Sequence, residues 1–365
     1  MGERVKGQGR NHGVDALRVC SMLMVVVLHI LNRGGVISSV ESLTDGGLSW
    51  RYAAMWLFEA AAFCAVNCYG LISGYVGVRA KYRYANFIVL WLRVAFYSVG
   101  ITFLFAVFMP GTVGKGQWVD AFLPVIRADY WYFTAYAGLF LLMPVLNAGL
   151  SHLTKRQMSV LVAGGVIAFS VIPALFKKDV FRFSSGYSAW WLIYLYMLGG
   201  YIGKYGMLKR AKAWHCFAGY IVVVVYAWGM KLASRAALNI PGAGVNWIDY
   251  LSPTIVAASV FLLLGFERSD LAKLAKVIRF FSPLAFSVYL IHTHRLIWEY
   301  WMGDRFASYG HLSAVKEVIL VPATAVGIFV ACSLVDALRE RLFLKLRVRQ
   351  RLLALEDRAF GDGSP

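Results

Sequence analysis

Charge is scarce in this chain. Asp and Glu number 19 in 365 residues, and charged residues of both signs make up 15%, against about a quarter in an ordinary soluble domain. So little charge cannot cover a water-exposed surface, which argues against a soluble protein. Cysteine is sparse as well. The five present (Cys20, Cys64, Cys68, Cys216 and Cys332) all lie inside apolar runs, with spacings that fit neither a disulfide framework nor a zinc site. They read as small buried hydrophobes. No compositional period marks a collagen-like or low-complexity chain, and an aromatic content of 15% excludes disorder.

What is abundant is apolar: 59% of residues, with a net charge of +18 from 37 Lys and Arg. A basic excess of that size indicates nucleic acid when it gathers on one polar face. Here the basic residues punctuate long apolar runs instead, and a helical membrane protein is what remains. The expected fold is all-α, a polytopic transmembrane helix bundle with about ten spans. A bilayer core needs about 20 mostly apolar residues per helix, and the segments approaching that are 15–35, 53–77, 85–109, 130–149, 158–175, 188–203, 215–232, 249–266, 280–301 and 315–335. The basic stretch before the first run is read as leading into an uncleaved helix, because no small-residue cleavage site follows it.

An even number of spans puts both termini on one side, and the basic residues name that side. Of the 37 Lys and Arg, 23 fall in the segments that are cytoplasmic if the N-terminus is inside, as short cytoplasmic loops require. Lys177, Lys178 and Arg182 go against the trend. The expected organisation is a cytoplasmic segment 1–14, a membrane domain 15–335 and a cytoplasmic tail 336–365. Within the tail, Ala337 to Ala359 reads as a basic amphipathic helix on the inner leaflet.

An ionisable group within a span costs several kcal/mol and marks a functional candidate. The first span carries Asp15, Arg18 and His29. At about 100° per residue, Arg18 and His29 fall about 20° apart around the helix, with Asp15 in the same sector and His29 roughly 16 Å beyond Arg18. Asp15 and Arg18 alternatively form an interfacial ion pair that complements the helix dipole. For His29 the plain alternative is an imidazole satisfied by a neighbouring helix, and the functional one a proton acceptor that activates a hydroxyl. Further candidates are Ser73 and Tyr75 beside Gly70 and Gly74, which also read as close helix packing. Tyr289 and His292 share a helix face, and Trp131 and Tyr132 double as an interfacial aromatic belt. His292 and His294, two apart, face away from each other on a helix, so no metal site is expected.

Together these features resemble the acyltransferase-3 family of integral membrane acyltransferases. The likeness rests on Asp15-x-x-Arg18, ten residues and His29, then Ser73-Gly-Tyr75, Trp131-Tyr132-Phe133 and Phe286-Ser-Val-Tyr-Leu-Ile-His292 in order. It implies a bacterial plasma-membrane enzyme that moves an acyl group, commonly acetyl, from cytoplasmic acyl-CoA to a hydroxyl of a cell-surface or lipid-linked glycan. No tightly bound cofactor and no nucleic acid are implied. His29 would be catalytic with Arg18 and Asp15. The family's paired arginines at the start of the third span are here reduced to Arg93, with Arg79, Lys81 and Arg83 as basic groups suited to the CoA phosphates and Ser73 beside them. Trp131, Tyr132, Tyr289 and His292 would meet the acceptor. The alternatives are a transporter or flippase, against which no internal repeat of the charged stripe is found, and a sensing module without chemistry.

Overall fold

The computed structural model describes residues 10–43, 48–240 and 242–361, and every regular element among them is helical. Residues 1–9 of the expected N-terminal segment and 362–365 of the expected tail lie outside the described residues. The elements used below are α1 (His12–Leu31), α2 (Trp50–Ala62), α3 (Ala65–Gly77), α4 (Tyr84–Phe108), α5 (Trp131–His152), α6 (Ala189–Tyr205), α7 (Ala213–Leu238), α8 (Pro253–Glu267), α9 (Ala285–His292), α10 (Ala314–Lys345) and α11 (Val348–Phe360).

Eight helical stretches among the described residues are long and apolar enough to cross a membrane. Two of the ten segments read from the sequence form shorter helices: α6 has 17 residues and α8 has 15. A further difference lies near the C-terminus. The apolar helix does not stop at 335 but continues to Lys345, so Arg339 belongs to α10 and not to a surface helix. The reason is a charge cluster that makes burial tolerable. Arg339 donates to Asp336 from Nε (2.6 Å) and Nη2 (3.0 Å) and pairs with Glu340 at 2.7 Å, and Tyr97 of α4 donates to Asp336 at 2.6 Å. The amphipathic piece is the shorter α11. Its Glu356 accepts the free N–H groups of Tyr84 (2.9 Å) and Ala85 (3.1 Å) at the start of α4, supplying the cap that Arg83 does not.

Burial separates inner from outer helices. The α2–α3 stretch has 67% of its apolar window buried and α1 has 61%, whereas α7 has 22%. The first two therefore form the centre, and the outward apolar side chains of α7 are left for lipid. α1 touches α2, α3, α8, α9 and α10, so its polar stripe faces protein on several sides. It begins where the Asn11 side chain accepts from Val14 N–H, and it ends where Asn32 donates back to the Leu28 carbonyl.

The small residues of α3 serve packing, one of the two readings open from the sequence. A Cβ on Gly74 would lie 1.9 Å from the Tyr196 carbonyl oxygen, and one on Gly199 would lie 2.1 Å from that of Leu71. α3 and α6 thus meet backbone to backbone, which glycine alone permits. Asn67 locks the same seam, donating to the Tyr250 carbonyl and accepting from the Trp191 indole.

Candidate active site

At the N-terminal end of α1, Asp15 is 4% exposed and acts as a hub. It accepts from Arg10, from Arg18 Nη1 at 2.6 Å and from Ser282 Oγ at 3.2 Å. Arg18 is thereby oriented at the wall of a cavity of about 320 Å³. Ser73, Lys81, Arg83, Asn86 and Asn147 line that cavity too. Arg83 is not a loose cation there, because Asp357 holds it at 2.6 Å and Glu356 lies 3.4 Å away. Arg79 and Arg93 are outside the wall. The first donates to the Gly203 carbonyl, and the second to the Pro283 carbonyl at 3.0 Å with Glu340 at 3.7 Å.

Toward the C-terminal end of α1 lies a larger cavity of about 620 Å³, and His29 is in its wall. His29 Nδ1 is 2.8 Å from Nε2 of His292, which is itself buried. The ring of Trp298 meets His29 edge-on at 4.7 Å between centroids. The other nitrogen of His292, Nδ1, faces the Val288 carbonyl one turn back on α9. A ring nitrogen facing a carbonyl must carry the proton, so Nε2 of His292 presents a lone pair. The proton between the two histidines then belongs to Nδ1 of His29, and the lone pair of His29 is on Nε2. Chemically, an imidazole with one nitrogen engaged as a donor to a buried partner and a lone pair on the other has what proton acceptance needs.

The same cavity is lined by Asn32, Glu59, Asp129, Trp131, Tyr132, Tyr187, Tyr250, Tyr289, Arg295 and Trp298. Arg295 pairs with Asp120 at 2.5 Å. Burial, and then the neighbouring Asp120, push the Asp129 carboxyl above its ordinary range, with Arg295 and Arg127 opposing. The two cavities share three wall residues, Tyr69, Tyr132 and Phe286. Tyr69 is held by a hydrogen bond from its hydroxyl to the Arg18 carbonyl (2.8 Å), and its ring lies 6.1 Å from that of Tyr132. An aromatic partition therefore separates the Arg18 chamber from the His29 chamber.

A family model described as an acyltransferase domain matches residues 11–337. The chain belongs to the acyltransferase-3 family. No curated protein and no solved structure matches it. Membership, with the eight apolar helices, makes this a multi-pass membrane acyltransferase.

The matched region includes every candidate site residue read from the sequence. Of these, His29, Trp131, Tyr132 and Tyr289 meet at the larger cavity, and Arg18, Ser73, Lys81 and Arg83 at the smaller one. His292 departs from the expected acceptor contact: it stands behind His29 rather than in the cavity wall, because its Nε2 is turned to the other imidazole. His294 has both nitrogens engaged, one by Leu296 N–H at 3.3 Å and one at the Ser98 carbonyl at 3.1 Å. Several wall residues of this acyltransferase-3 chain escaped the sequence reading, among them Asn32, Glu59, Tyr187 and Tyr250. Glu59 is the single acid in the apolar run Trp56–Phe63, and an acid within a span is itself the signal that would have found it.

Proposed function

We propose that this acyltransferase takes an acyl group, commonly acetyl, from cytoplasmic acyl-CoA and transfers it to a hydroxyl of a cell-surface or lipid-linked glycan in the bacterial plasma membrane, with His29 as the general base. The observation that carries the reading is the His29–His292 pair, whose hydrogen-bond order leaves Nε2 of His29 as the basic atom beside the larger cavity.

The donor enters from the Arg18 end. Arg18 and Lys81 offer charge to the phosphates of the CoA, and Asp15 fixes the direction of Arg18. The pantetheine arm reaches past Tyr69, Tyr132 and Phe286 toward His29, and the acceptor occupies the larger cavity. The roughly 16 Å along α1 between Arg18 and His29 suits donor binding at one and chemistry at the other. As the acceptor oxygen attacks the thioester carbon, its proton passes to Nε2. The tetrahedral intermediate then collapses with cleavage of the C–S bond, and the imidazolium returns the proton to the departing sulfur. The bond from His29 Nδ1 to His292 strengthens while His29 is charged, because hydrogen bonds from ionised donors are the stronger kind. The same atom is also placed to carry the acyl group itself for one step, and trapping of acyl-His29 separates the two routes.

The test is transfer of label from radiolabelled acetyl-CoA to glycan in membranes containing the full chain. Wild-type protein is expected to transfer label, and His29→Ala to lose at least about 100-fold of it, the scale of a positioned acid–base group. Membranes of the variant that acylate at the wild-type rate would overturn the proposal. Uptake of an unmodified saccharide without acylation would favour transport.

A further inference from the structure

Glu59 is a buried carboxylate with too few partners. It is 4% exposed, lies within the span formed by α2 and α3, and lines the same cavity as His29. Among the described residues its one hydrogen-bond partner is Asn32 Nδ2, 3.0 Å from each of its oxygens. That amide also donates to the Leu28 carbonyl at 2.9 Å. An amide nitrogen has two hydrogens, so one goes to Leu28 and Glu59 receives the other. No Lys, Arg or His among the described residues forms an ion pair with it. A carboxylate has about four acceptor sites, and leaving most of them empty away from water is costly. The donors that can fill them, water or the hydroxyls of a bound ligand, lie in the cavity that Glu59 lines.

The position of Glu59 relative to the base is equally specific. Asn32 follows His29 by three residues as the C-cap of α1, which puts it near the same face and about 4.5 Å further along. Through Asn32, Glu59 is tied to the end of the helix that carries His29. Tyr187, Tyr250 and Trp131 stand in the same wall, with ring centroids 5.1 Å apart for Tyr187 and Tyr250 and 4.6 Å for Trp131 and Tyr187. Aromatic faces suit the apolar C–H face of a pyranose, and an acid suits its hydroxyl edge. Arg295 in the same wall is paired with Asp120, which leaves the charge of Glu59 without a cation of its own to offset its repulsion of a carboxylate or phosphate.

We propose that Glu59 reads the acceptor: it accepts hydrogen bonds from hydroxyls adjacent to the one being acylated, fixes which hydroxyl faces His29, and selects a neutral sugar ring over an acidic one. This rests on the proposed acyl transfer to a glycan. Glu59→Gln keeps the size of the side chain and an oxygen for Asn32 while removing the charge, so a purely structural role survives the change. The experiment uses membranes with the full chain, acetyl-CoA, and p-nitrophenyl glucoside, galactoside and glucuronide as acceptors.

Wild-type protein is expected to acetylate a neutral glycoside at one main position and to reject the glucuronide. Glu59→Gln is expected to raise the acceptor KM tenfold or more, the scale of a hydrogen bond to a charged group, to leave the KM for acetyl-CoA unchanged, and to spread acetylation over several positions. Glu59→Asp, which keeps the charge on a shorter arm, should fall between the two. An unchanged acceptor KM and a single unchanged product position in Glu59→Gln would overturn the assignment. Transfer to endogenous glycan without transfer to any neutral glycoside would overturn the substrate class while leaving the proposed function standing. Absence of transfer to every acceptor by the wild type would overturn both.

Discussion

Replacing His292 with Leu tests the logic of the paired imidazoles. Leu is apolar and fills much of the same space on α9, so the change removes the acceptor for His29 Nδ1–H and little else. In the wild-type protein that N–H lies 2.8 Å from Nε2 of His292, and the Val288 carbonyl holds the second ring in register. Without it the imidazole of His29 is free to rotate or to carry its proton on the other nitrogen, and the imidazolium of the transition state loses its donor–acceptor partner. A hydrogen bond made by a charged group contributes about 1.5–3 kcal/mol, and each 1.36 kcal/mol on a barrier is a factor of ten. The expected fall in kcat is therefore about 10- to 150-fold. Because His292 is behind the base and not in the cavity wall, the KM for the acceptor should change less than threefold. His292→Gln, which can place a carbonyl oxygen near Nδ1, should recover part of the rate. The assay is steady-state acetyl transfer with both substrates varied. A Leu variant with wild-type kcat, or one whose loss lies entirely in KM, would refute the relay.

Two other expectations concern the Arg18 end and the fold. Arg18→Ala should raise the KM for acetyl-CoA tenfold or more while leaving the acceptor KM in place, since the guanidinium lines the smaller cavity alone. An equal effect on both constants would contradict the two-chamber arrangement. Asp336→Ala should cost about 3–5 kcal/mol of stability, the penalty for removing one member of a buried ion pair, because Arg339 is 1% exposed at its side chain and would lose two of its hydrogen bonds. Detergent-solubilised protein with an unchanged melting temperature would show that this cluster does not hold α10 to α4.

The sequence by itself determined that the chain is a helical bundle built for a bilayer, and it placed Asp15, Arg18 and His29 on one stripe of α1. Both follow from local regularities, since span length comes from the thickness of lipid and the stripe from the pitch of a helix. It also carried the family resemblance, because the residues around His29 and His292 are read in order along the chain. The ends of elements were less legible. α10 runs ten residues past its apolar stretch because Asp336 neutralises Arg339 and Tyr97 of α4 donates to Asp336, and that tyrosine lies on another helix. Partnership across helices is what the tertiary structure alone decided. His29 and His292 are 263 positions apart, and Asn32 and Glu59 are 27 apart. A helix surrounded by apolar neighbours and lipid shows little difference between its faces, so its sequence does not say which neighbour it meets. Only packing turned two separate histidines into an ordered pair and gave an isolated acid a place beside them.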